Sequence, residues 1–163
     1  MRRTLNDNNY KVLIDIIDEK KIDEYPKSNE AIIHIRAGDV INNDTRPLNE
    51  ILKTTYEENN YVRPLIFYQN INLHKKIDTV VIVSSVTSGG GTRKSCDFSK
   101  SYLYIDTVSN NFKDRGFQVK RKLNGDPDND FIYMCNSKNF TPSRGGFSKT
   151  IQEIVKLKNN TII

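Results

Sequence analysis

The sequence predicts an α/β protein with a parallel, Rossmann-like sheet covered by helices on both faces. Three observations carry this expectation. The runs AIIHI (31–35) and VVIVS (80–84) are short, predominantly apolar and rich in β-branched residues, as strands buried on both faces are. Helical apolar spacing recurs between such runs, and the resulting alternation of helix and strand is the pattern of βαβ units. With 163 residues the chain is expected to be a single domain, residues 1–163, with one core.

Taken in order, Leu13, Ile16 and Ile17, with Tyr10 one turn earlier, make a helical stripe, so Asn9 to Lys21 reads as an amphipathic helix. AIIHIRAG is the first strand. The polar stretch from Asn42 to Asn60 has little periodicity and reads as a loop around a short helix. Pro64 suits the first turn of a helix running through PLIFYQNINLHKKI, with Leu65, Phe67, Tyr68, Ile71 and His74 toward the core. DTVVIVSSV is a central strand. Tyr102 to Lys113 forms a helix ended by Gly116, and FQVKRKL alternates well enough for a strand. A helix from Asp128 to Asn136, a short strand NFTPS and a helix from Gly146 to Lys156 complete the chain.

Composition narrows function only slightly. A hydrophobic fraction of 36% with 28% charged residues is that of an ordinary globular protein, and the net charge of +5 favours anionic ligands. Basic residues are interspersed with acids, and dense positive charge is confined to Lys120, Arg121 and Lys122, so nucleic acid is not an expected partner. Cys96 and Cys135, with His34 and His74, do not have the spacing of a metal site, and both thiols are expected to be reduced. MRRTLNDNN lacks the apolar core of a signal peptide, and no run approaches the ~20 apolar residues of a membrane span. The expected location is cytoplasmic, and the Asn43, Asn139 and Asn159 sequons read as chance matches in an Asn-rich chain.

In open α/β sheets, ligands bind beyond the carboxyl ends of the strands. His34 to Asp39, Ser84 to Gly91 and Ser143 to Ser148 are predicted to gather there. On a strand, His34 and Arg36 share one face and Ile33 and Ile35 the other. They make either a buried ion pair with Asp39 or the polar wall of a binding site. VVIVSSVTSGGGTRKS imitates a phosphate-binding loop but fails on spacing, because Ser88 stands where the first glycine belongs and Arg93 precedes Lys94. Gly89, Gly90 and Gly91 are therefore expected to give a mobile strand-end loop. In TPSRGGFSKT, Ser143, Arg144, Gly145, Gly146 and Ser148 lie at a strand-to-helix junction that suits an anion or, equally, an ordinary helix cap made by Ser143 or a neighbour. Phe147 is expected to pack under the sheet.

In their order, HIRAGD, YVRPLIFYQNI, DTVVIVSS and DNDFIYMCNSKNFTPSRGGFSKTI resemble the donor-binding half of GDP-fucose-type glycosyltransferases, the α1,2-, α1,6- and protein O-fucosyltransferases. The resemblance spans about Glu30 to Val155. It implies the C-terminal Rossmann-like half of a GT-B enzyme that transfers a sugar from a GDP-sugar, GDP-fucose foremost, with inversion and without a metal cofactor. It makes His34 a nucleotide contact, Arg36 the guanidinium on the pyrophosphate, Asp130 the acceptor for guanine N1 and N2, and Gly146, Phe147 and Ser148 the phosphate turn. Asp39 and Asp44 are the candidate bases by proximity to the first strand. The implied partners are a nucleotide-sugar donor, a glycan or protein acceptor, and a second domain or another copy of the chain that holds the acceptor. Ala37 and Gly146 depart from the family pattern, which more often has arginine and serine or threonine there. The competing readings are a noncatalytic nucleotide- or anion-binding module of a larger assembly and an NTP-binding α/β protein.

Overall fold

Ala31, Ile32 and Ile33 in the first strand and Val80 to Val83 in the second are fully excluded from solvent in the computed structural model, which describes residues 7–53, 62–86 and 98–163. Helix α1 spans Asp7–Glu19, β1 Glu30–His34, α2 Asp39–Asn42, α3 Leu48–Lys53, α4 Leu65–Gln69 and β2 Thr79–Ser84. They are followed by α5 Ser99–Asp114, β3 Gln118–Leu123, α6 Pro127–Cys135, β4 Asn139–Thr141, α7 Gly146–Leu157 and β5 Thr161–Ile162. The sheet has five strands, all parallel, in the order β3-β2-β1-β4-β5. This is the Rossmann-like three-layer fold.

Strand alternation divides the core in two. Ile33, Ile35, Val80 and Ile82 face α5 and the short helices α2 to α4, against Tyr104, Ile105, Val108, Phe112 and Tyr68. Ile32, Val81, Val83 and Phe140 face α1, α6 and α7, against Ile17, Ile132, Ile151, Ile154 and Val155. Ile151, Ile154 and Val155 are the helical i, i+3, i+4 stripe that glues α7 to the sheet. Asp126 starts α6 by accepting the N–H groups of Asp128 and Asn129 at 3.1 and 2.9 Å, with Pro127 in the first turn. Gly116, at φ 89°, ends α5 where a side chain would be strained.

Several expectations need correction. Helix α4 ends at Gln69 and not near Ile77, because Ile71 and Leu73 are buried at strand-like spacing and Arg115 donates to the carbonyls of Tyr68 and Ile71. His74 is consequently exposed, away from the core. Phe147 does not pack beneath the sheet; it is 46% exposed. The polar stretch from Asn42 to Asn60 does contain a short helix, α3, as expected, and its part 54–60 lies outside the described residues, as do Gly89 to Gly91 and Cys96. Strand β5 was not anticipated, since two residues carry no readable period.

β3 pairs only with β2 and is a sheet edge. Its charges are matched: Lys120 with Glu30, Arg121 with Asp106 and Lys122 with Glu24, at 2.8, 2.6 and 2.8 Å. Charges along an edge discourage pairing with another chain. No helix among the described residues is long and apolar enough to cross a membrane.

Candidate functional site

From β1 the chain steps outward to β2 and β3, then returns to the other side of β1 as β4. The switch point therefore lies between the carboxyl ends of β1 and β4, where loops leave in opposite directions and open a crevice. His34 closes β1 on the α6/α7 side of the sheet, continuing the face of Ile32.

His34 is held from two directions. Its Nδ1 stands 3.0 Å from Ser143 Oγ, which comes from the segment after β4, and the Phe147 ring meets it edge-on at 5.6 Å. Phe131 on α6 packs against Phe147 at 5.5 Å. Burial, reinforced by the charge of Arg36, holds the imidazole down at about 4, so the ring is neutral near pH 7.

Next to His34 runs a cleft of about 380 Å³, lined by His34, Arg36, Gly38, Asp39, Ser85, Asn124, Gly125 and Pro127 among others. Its volume falls in the range of small-molecule sites, roughly 300–1,000 Å³. Arg36 Nη2 lies 3.8 Å from Asp39 Oδ2, with the two side chains 35% and 54% exposed. This loose, partly hydrated contact is not the buried ion pair that was one reading of the sequence.

The turn carrying Arg36 is bolted in place from behind. Gly38 adopts φ 66°, and a Cβ there would stand 3.2 Å from Ser85 O and 3.3 Å from Val86 O. Its N–H donates to Ser101 Oγ at 3.0 Å, and Ser101 donates onward to Asn42 Oδ1 at 2.7 Å. Lys100 donates to the carbonyls of Asp44 and Arg46. Asp44, a candidate base, is absorbed here: Arg46 binds its carboxylate with Nε at 3.0 Å and Nη2 at 2.6 Å, and that bonding holds its carboxyl below the usual range. It does not line the cleft, which removes it as a base.

The opposite wall comes from the β3–α6 turn. Asn124, at φ 58°, donates its N–H to Ser84 O at 3.0 Å and accepts from Val86 N–H at 2.9 Å. Gly125 sits so close to Asp130 that a Cβ would be 2.8 Å from Oδ1. Asp130 thus lies behind Gly125 and does not line the cleft directly; burial raises its carboxyl pKa, against the pull of Lys122.

Ser143, Arg144, Gly145 and Gly146 lead into α7. Ser143 does not cap the helix, because its hydroxyl addresses His34; the cap position is Gly145, at φ 107°, with no side-chain hydrogen bond. The N–H groups of the first turn therefore lack a side-chain acceptor from the cap. Ser148 Oγ in that turn is buried and has no hydrogen-bond partner among the described residues.

His34, Arg36 and Asp39 are thus gathered around one cleft, Ser143 and Phe147 touch it through His34, Asp130 stands behind Gly125, and Ser148 is buried in the first turn of α7. Asn42, Ser101 and Asn124 were missed. The Asn124-Gly125 pair was a readable turn signal, whereas Ser101 and Asn42 act across chain separations that no local pattern reveals. Among the described residues no cluster of histidine, cysteine or carboxylate side chains could hold a metal ion. No family model matches the sequence, and no curated protein matches it either.

Proposed function

We propose that this crevice binds a GDP-sugar, GDP-fucose foremost, and that the domain is the donor-binding part of an inverting, fucosyltransferase-like glycosyltransferase. The observation that carries the reading is the meeting of His34 and Ser143, 109 positions apart, at 3.0 Å across the switch point, beside Arg36 and the start of α7. HIRAGD and the end of DTVVIVSS line this cleft, and the TPSRGGFSKT segment reaches it through Ser143 and Phe147, whereas YVRPLIFYQNI does not line it.

In this reading Arg36 pairs with the pyrophosphate, where a planar guanidinium offers two parallel donors and permanent charge. The uncapped N–H groups of Gly146, Phe147 and Ser148 supply further donors, and Arg144 adds positive charge. Asp130 accepts from guanine N1 and N2 past Gly125. During transfer the bond from the sugar's anomeric carbon to the diphosphate oxygen breaks, and its electron pair leaves with GDP. The acceptor hydroxyl oxygen forms the new bond from the opposite face and gives its proton to Asp39, the one carboxylate lining the cleft among the described residues. Charge grows on the diphosphate as the bond breaks, so Arg36 contributes more in the transition state than in the ground state.

A binding module without transfer is the second reading. It is favoured by the placement of Asp39, 54% exposed and already facing Arg36. Calorimetry with GDP, UDP and ADP tests the donor class: preferential GDP binding supports it, and equal or absent binding of all three overturns it. Release of fucose from GDP-fucose then separates the two readings, because a binding module releases none.

A further inference from the structure

A hydroxyl carries one proton and can accept two hydrogen bonds, so the two contacts of Ser143 Oγ constrain each other. The oxygen stands 3.0 Å from His34 Nδ1 and 3.3 Å from Arg144 O. A carbonyl only accepts. If both contacts are hydrogen bonds together, the Ser143 proton goes to Arg144 O and His34 Nδ1–H donates to Ser143 Oγ. The reverse orientation, with Ser143 donating to Nδ1, makes one bond and abandons the other. Burial keeps the ring neutral, so a proton on Nδ1 leaves a lone pair on Nε2. Phe147 meets the ring with carbon alone, and among the described residues nothing hydrogen-bonds Nε2. Nε2 is the polar atom with which His34 can address the cleft.

We propose that Ser143 is a positioning residue that holds His34 in its Nδ1–H tautomer, so that Nε2 accepts a hydrogen bond from a ligand hydroxyl or N–H and disfavours a phosphate oxygen. The ligand half of this inference rests on the nucleotide reading; the tautomer does not. Work in the site is then divided: Arg36 and the α7 turn take the anion, and His34 takes a donor group of the nucleoside or sugar. Facing a phosphate, Nε2 would set acceptor against acceptor. The relay thus adds to affinity for a nucleoside diphosphate and nothing to affinity for pyrophosphate alone.

The chain has two histidines, which makes the test clean. His74 Nδ1 accepts from the Lys76 N–H at 3.2 Å, so neutral His74 is fixed as the opposite, Nε2–H tautomer and serves as an internal control. In ¹⁵N spectra of the full chain at pH 7, assigned with His74→Gln, His34 should show a protonated Nδ1 and an unprotonated Nε2. Ser143→Ala should move His34 toward a tautomer mixture and weaken GDP binding about three- to tenfold, the worth of one hydrogen bond. Pyrophosphate affinity should stay the same. A protonated Nε2 in the unmodified protein overturns the proposal, and so do unchanged ring shifts and GDP affinity in Ser143→Ala. A protonated Nδ1 in a protein that binds no GDP keeps the relay and overturns the nucleotide reading.

Discussion

Glu30 and His34 stand at opposite ends of β1, and their surroundings differ in kind. Glu30 is 1% exposed, yet its carboxylate receives Lys120 Nζ at 2.8 Å, the Lys27 N–H at 2.9 Å and the Tyr133 hydroxyl at 3.4 Å. Burial alone would raise its pKa, but the bonds from Lys120 and Lys27 outweigh it and hold the carboxyl below its usual value. At the other end His34 is desolvated with one ring nitrogen engaged, and Arg36 has a 3.8 Å contact with Asp39 beside an open cleft. A buried charge with both carboxylate oxygens hydrogen-bonded by the protein is structural. Polar groups that line an open cleft have room to meet a ligand as well as their protein partners.

Substitutions at the two ends should therefore move different observables. The largest stability loss is expected for Glu30→Ala, which strands the Lys27 N–H and the Tyr133 hydroxyl: about 2–3 kcal/mol in urea unfolding, with GDP affinity unchanged. The cost stops short of a fully buried pair because Lys120 is 48% exposed and can return to water. Gly38→Ala comes next. Its left-handed φ and the carbonyls of Ser85 and Val86 should cost about 1–2 kcal/mol, and nucleotide affinity should fall as well, since the turn carries Arg36. Losing stability while keeping full affinity would show that the Gly38 turn does not position the site.

Acid should separate the two ends further. His34 has a folded pKa near 4 against an ordinary 6.5, so the unfolded chain takes up its proton first on acidification. Its contribution to stability is complete above pH 6.5 and is lost as pH falls from 6.5 to about 4. Glu30, also depressed, keeps its contribution above its ordinary 4.5 and loses it as pH drops below that value. Urea midpoints at pH 7, 5.5 and 4 should therefore decline, and His34→Gln should flatten the decline between pH 6.5 and 4.5; an unaltered slope would contradict the desolvated ring. The smallest effect is expected for Lys156→Ala, whose exposed pair with Glu153 is worth less than about 0.5 kcal/mol.

The sheet was legible because its central strands are apolar on both faces, which only a double cover of helices explains. The PLIFYQNINLHKKI segment was misread because Leu65, Tyr68 and Ile71 mimic a helical stripe, while the stop depends on Arg115, distant in sequence, taking the last carbonyls. The site was half legible. His34, Arg36 and Asp39 announce themselves as charges ending an apolar strand. Ser143 read equally well as a helix cap, and only the tertiary fold shows its hydroxyl spent on His34. Ser101 looks like any helix serine, since its role consists of a bond to Gly38 across 63 positions.

GDP titration of Arg36→Lys alongside its melting temperature decides whether Arg36 is the proposed ligand clamp or a structural ion pair. A lysine keeps the charge but loses the fork, so GDP binding should weaken by about 1–3 kcal/mol, some five- to 150-fold, while the melting temperature stays within a degree or so. Unchanged GDP affinity with a lowered melting temperature would rule out the clamp and return Arg36 to the role of a partner for Asp39.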